Sequence, residues 1–114
     1  MHYDTVFHFD NEAANLRIAI TNIVNLYKAL DKETFTAVLL VNGPGIRLME
    51  RNNVDFSQDI RHLKECGASV RVCRNAMNHF GLTPEQLCPE CDIVPAGVVE
   101  LIDLQKKGFA YIKP

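Results

Sequence analysis

The sequence predicts one α/β domain built on a mainly parallel five-stranded sheet with helices on both faces. Three observations carry this expectation. Short β-branched or apolar runs alternate with segments of helical periodicity. Glycine, proline and asparagine clusters close the apolar runs. The chain has 114 residues, which is the size of a single domain.

The elements follow in order. Tyr3 to Phe9 is rich in β-branched and aromatic residues and reads as a first strand. Asp10-Asn11 supplies a cap for a long helix from Glu12 to Leu30. Its apolar face is Leu16, Ile20, Ile23, Val24, Tyr27 and Leu30. Phe35 to Val41 is almost wholly apolar, as a strand covered on both faces should be. Asn42-Gly43-Pro44-Gly45 stops it, and Ile46 to Arg51 reads as a short helix. A further helix begins near Asp55, with Gln58 as capping-box partner. It presents Phe56, Ile60, Leu63 and Cys66 on one face and stops at Gly67. Ala68 to Cys73 is a strand, and Asn75 to Phe80 makes one or two helical turns. Thr83-Pro84-Glu85-Gln86 is a helix start that Pro89 keeps short. Ile93-Val94 forms a brief strand. A last helix runs from Pro95-Ala96-Gly97 to Lys107, and Phe109 to Ile112 closes the sheet.

Composition narrows the functional classes. Hydrophobic residues make up 47 % of the chain, a globular share. The formal net charge is -2 and the basic residues are scattered, so the pattern offers no basic face for nucleic acid. No apolar run approaches the roughly 18 residues of a membrane helix, and the opening residues do not read as a signal peptide. The expected location is the cytoplasm. There the four cysteines are more often thiols, metal ligands or reactive groups than structural disulfides.

In an open parallel sheet, reactive groups gather where strands end and helices begin. The tips here are His8-Phe9-Asp10, Asn42-Gly43-Pro44-Gly45, Cys73-Arg74-Asn75 and Pro95-Ala96-Gly97. Cys73 is the candidate nucleophile. A thiolate is the attacking form, and the helical turn after Cys73 and the cation of Arg74 would both favour it. A small apolar residue ending a strand is the alternative role. Cys88-Pro89-Glu90-Cys91 is a second candidate, as half of a zinc site or as a dithiol. No second ligand pair of similar spacing accompanies it, and it falls in a late loop. Cys66 lies on an apolar helix face and is expected to pack in the core. His8, Asp10 and Glu12 are available for acid–base work. The glycine loop matches neither a phosphate-binding P-loop nor a dinucleotide fingerprint. The last helix carries Val98, Val99, Leu101, Ile102 and Leu104, an arc wide enough for a subunit interface as well as a core contact.

Three blocks resemble the DsrE/DsrF-like family: Val41 to Leu48, Gly67 to Met77 around Cys73, and Val94 to Pro114. The resemblance spans essentially the whole chain. It implies a flavodoxin-like fold and homo-oligomers, commonly trimers or hexamers. It also implies sulfur carriage as a persulfide on Cys73, with sulfur donor and acceptor proteins as partners and no cofactor. Arg74, Asn75, Asn42, Gly43 and His8 would support that cysteine. Many members carry His where this chain has Asn42, and the Cys88/Cys91 pair is not a general feature of the family.

Overall fold

The computed structural model describes residues 2–114. Among these residues the strands are β1 (Thr5–Phe9), β2 (Ala37–Val41), β3 (Ser69–Cys73), β4 (Cys91–Val94) and β5 (Ala110–Ile112). The α-helices are α1 (Ala13–Ala29), α2 (Ser57–Cys66), α3 (Arg74–Phe80) and α4 (Gly97–Lys106). All strand pairings are parallel, in the order β4-β3-β2-β1-β5. The layered architecture is the flavodoxin-like one the sequence predicts.

The strand order fixes where the helices go. The chain steps from β1 to β4 in one direction, then returns past β1 to lay β5 on the opposite edge. Parallel crossovers are right-handed, so reversing direction moves the connecting helix to the other face. The core accordingly divides in two. Phe7, Phe9, Leu39, Val41, Val70 and Val72 pack against α1, α2 and α3. Val6, Val38 and Leu40 pack against Leu101 and Leu104 of α4. Strand side chains alternate between faces, which is why β2 is buried at every position.

Several local expectations are corrected. Helix α1 has Glu12 as its N-cap residue and α2 has Phe56, and neither makes a side-chain cap. Asp10 is drawn instead into an ion pair with Lys113, and no capping box joins Asp55 to Gln58. The segment after β2 is a 3-10 helix, Gly43–Met49, beginning inside the glycine loop rather than after it. Pro44 at its start has no N–H to lose there. The Thr83 start yields one 3-10 turn, Pro84–Gln86, in which Gln86 Oε1 accepts the Thr83 backbone N–H at 2.8 Å. Cys91 is the first residue of β4, not a loop residue. Cys66 is half-buried at the end of α2, with its sulfur 3.7 Å from His62 Nε2.

Candidate functional site

All strands are parallel, so their C-terminal ends share one edge of the sheet. Cys73 ends β3 there and is 6 % exposed. It is also the N-cap residue of α3, and its sulfur accepts the backbone N–H of Ala76 at 3.5 Å. A second N–H, from Gly97 at the start of α4, reaches the same sulfur at 3.2 Å. First-turn N–H groups have no partner within their own helix and carry partial positive charge. Two such groups therefore converge on one sulfur atom.

The second donor depends on a close approach. A Cβ on Gly97 would lie 3.2 Å from Cys73 Cβ, 3.2 Å from Asn42 Cβ and 3.3 Å from Leu40 Cδ1. Helix α4 is held over this point by Arg71 of β3, which pairs with Glu100 and also bonds Ser69 Oγ at 3.0 Å. Gly97→Ala should push α4 off the sheet by a few tenths of an ångström and lengthen the Gly97 contact. We expect the rate of Cys73 modification by a thiol reagent to change by roughly tenfold, since sub-ångström misplacement is costly in a preorganised site. Alkylation kinetics followed by mass spectrometry reads this directly, and an unchanged rate would dismiss the Gly97 contact as a determinant.

The remaining predicted residues fall in different places. Asn42 follows β2 in the position that continues the pairing Val41↔Val72, which sets it beside Cys73. Its Oδ1 lies 2.8 Å from His8 Nε2. His8 Nδ1 lies 2.6 Å from the Tyr111 hydroxyl. Tyr111, His8, Asn42 and Cys73 thus form a row, one residue from each of the adjacent lines β5, β1, β2 and β3. Asp10 lies 3.9 Å from His8 Nε2 and pairs with Lys113. Gly43 takes φ +56, where a side chain is strained, and a Cβ there would lie 3.3 Å from the Asp10 carbonyl oxygen. Arg74 and Asn75 start α3 but are exposed and make no side-chain bond to the thiol. Backbone N–H groups, not the Arg74 guanidinium, line the sulfur.

Sequence reasoning did not place Tyr111 and Lys113 at this edge. Tyr111 is separated from His8 by 103 residues, and only the position of β5 beside β1 joins them. A closing strand in a parallel sheet was the available signal, since its C-terminal end shares this edge.

Cys88 and Cys91 stand apart from Cys73. Cys88 is buried and directs its thiol at the Glu50 carbonyl, 3.7 Å away. Burial, reinforced by Glu90, pushes its thiol up. Burial, then Cys88, Glu90 and Asp92, push the Cys91 thiol up to about 12. Zinc requires thiolates and usually four ligands. Among the described residues no His, Cys, Asp or Glu joins the pair to make a three-ligand group. Within one chain these residues do not fit a zinc ion.

A parallel three-layer domain with a cysteine at a strand tip, facing two helix starts, defines a class of small thiol-bearing α/β proteins. The family comparison makes that class specific: residues 8–114 match the DsrE/DsrF-like family, and the chain belongs to it. A search of curated proteins finds no match. Among solved structures, a protein of unknown function, MTH1491 from Methanobacterium thermoautotrophicum, is similar at 26 % identity. That likeness covers 98 % of this chain and 99 % of the other, with a TM-score of 0.91. The ychN protein of E. coli is similar in fold at 12 % identity and TM-score 0.75, over 100 % of both chains. BT1422 of Bacteroides thetaiotaomicron, a conserved protein of unknown function, is similar at 12 % identity and TM-score 0.71. It is covered over 94 % of its length by 97 % of this chain. Among the described residues no helix is long and apolar enough to cross a membrane.

Proposed function

We propose that this protein is a sulfur carrier that holds sulfane sulfur as a persulfide on Cys73. The observation that carries the reading is the pair of backbone N–H groups, from Gly97 and Ala76, at the Cys73 sulfur. In the loading step the Cys73 thiolate attacks the outer sulfur of a donor protein's persulfide. A new S–S bond forms at Cys73, the donor's S–S bond breaks, and its electron pair leaves with the donor thiolate. Sulfur changes hands with no net oxidation, so no cofactor enters the step. Delivery repeats the exchange, with the acceptor's thiolate attacking the outer sulfur. The two N–H groups match the anionic sulfur at the start of loading and at the end of delivery. Membership of the DsrE/DsrF-like family supports sulfur-relay chemistry. Incubation with a persulfide donor, followed by peptide mapping, should place one added sulfur atom on Cys73. Sulfur found only on Cys66, Cys88 or Cys91, or nowhere, would overturn the reading.

We also propose that the carrier is a homo-oligomer, a trimer or hexamer, joined through the outer arc of α4. Val98, Val99 and Ile102 are 60 %, 52 % and 47 % exposed on a single helix. Leu101 and Leu104 on the same helix already satisfy the core, so the outer arc needs another occupant. Light scattering should give a multiple of the 12.9 kDa chain mass, and Val98→Glu with Ile102→Glu should reduce it to a single chain. A monomeric wild type would refute this assignment.

A further inference from the structure

The polar row Tyr111–His8–Asn42 contains an amide with one end occupied and one end open. Asn42 Oδ1 faces His8 Nε2 at 2.8 Å, and no hydrogen bond among the described residues engages Asn42 Nδ2. An amide oxygen only accepts, so the ring proton must be on Nε2. In the neutral ring Nδ1 is then an acceptor, and the Tyr111 hydroxyl, 2.6 Å away, donates to it. Each bond fixes the next, and the amino group of Asn42 is left without a partner among the described residues. The Gly97 geometry sets the two residues side by side, since Asn42 Cβ and Cys73 Cβ each lie 3.2 Å from where a Cβ on Gly97 would sit. Asn42 is only half-buried, so its free end can meet an atom that is not part of the protein.

We propose that Asn42 Nδ2 is the hydrogen-bond donor for the outer sulfur of the Cys73 persulfide. His8, held by Tyr111, is the positioning residue that keeps the amide in that orientation. The inference deepens the sulfur-carrier reading and rests on it. It divides the charge between two sets of donors. The backbone N–H groups of Gly97 and Ala76 serve the inner sulfur, Cys73 Sγ. The amide serves the outer sulfur, which carries the negative charge of an ionised persulfide. Acceptance by an anion is the stronger kind of hydrogen bond, so the donor gains most in the loaded state.

The test measures how fast Cys73 takes up sulfur from a small-molecule persulfide donor and how long it keeps it against a small-molecule thiol that accepts the outer sulfur, by intact mass at fixed pH. Asn42→Asp retains the size and the oxygen that faces His8 but cannot donate. Asn42→Ala removes the donor without adding charge. Both should lose the outer sulfur roughly tenfold faster than wild type, with Asn42→Asp the faster of the two. His8→Phe should fall in the same direction. His8→Gln, which can return an N–H to the amide oxygen, should recover most of the retention. That rescue separates positioning from mere packing. Retention at the wild-type level in Asn42→Ala would overturn the inference while leaving the carrier intact. Equal loss in His8→Gln and His8→Phe would overturn the positioning role. A wild type that takes up no sulfur would overturn the carrier reading and this inference together.

Discussion

Cys73→Ser is expected to abolish sulfur loading while leaving the fold standing. The hydroxyl replaces the atom that forms the new S–S bond, and oxygen cannot take its place as a persulfide carrier. The structural cost is small because Cys73 is the N-cap residue of α3 and its sulfur already accepts an N–H from Ala76. Serine is among the best residues at that position. A change within about 1 kcal/mol follows, seen as a shift of a few degrees at most in thermal unfolding. Cys66→Ser, Cys88→Ser and Cys91→Ser should load like the wild type. Their sulfurs lie away from Gly97, and the Cys88 and Cys91 thiols are pushed up by burial and so held in the unreactive protonated form. Loading of Cys73→Ser to the wild-type extent would place the chemistry on another thiol.

Gly45→Ala should be the most destabilising single methyl that can be added to the site edge. A Cβ at Gly45 would sit 2.8 Å from Phe9 Cε2 and 3.0 Å from the backbone Cα and carbonyl carbon of Asp10. Phe9 is 1 % exposed and packed in the main core, so the ring has nowhere to go. Backbone cannot yield cheaply either. Overpacking of this kind costs about 1–3 kcal/mol. For a domain of this length that lowers the melting temperature by roughly 4–15 °C. Calorimetry reads the shift. An unchanged melting temperature would mean the 3-10 segment lifts away from β1 without loss. Gly45 thus acts through volume, whereas Gly43 in the same loop acts through its positive φ.

The strands were the most legible part of the sequence. Val38 to Val41 can only be a buried strand, because every side chain on it is apolar. The strand tips were equally readable, since Gly and Pro mark where extended backbone stops. Cap positions were less so. Asp10 carries the right oxygen for an N-cap, but a cation far along the chain, Lys113, takes it. A local rule lost there to a tertiary partner. Arg74 shows the converse error. Adjacency in sequence to Cys73 implied proximity of charge, but the residue after a strand tip points its side chain away into solvent. The two donors that do reach the sulfur are backbone groups, which no side-chain motif announces. The Cys88/Cys91 spacing was legible as a motif. What the spacing omits is surroundings: burial and neighbouring acids raise both thiols, and no third ligand among the described residues closes on them.

The strand order has a kinetic corollary. β5 pairs with β1, so the last strand must close a loop of about a hundred residues before its hydrogen bonds form. Loop closure of that length is paid in entropy before any contact repays it, which delays β5 relative to the β1–β2–β3 steps between neighbours in sequence. The Cys73 cradle of backbone donors needs only β3, α3 and the start of α4. Its polar row needs β5 as well, because Tyr111 is the far end of it. The inner donors at the thiol therefore depend on fewer elements than the His8–Asn42 orientation, which also needs the chain folded back onto its own beginning.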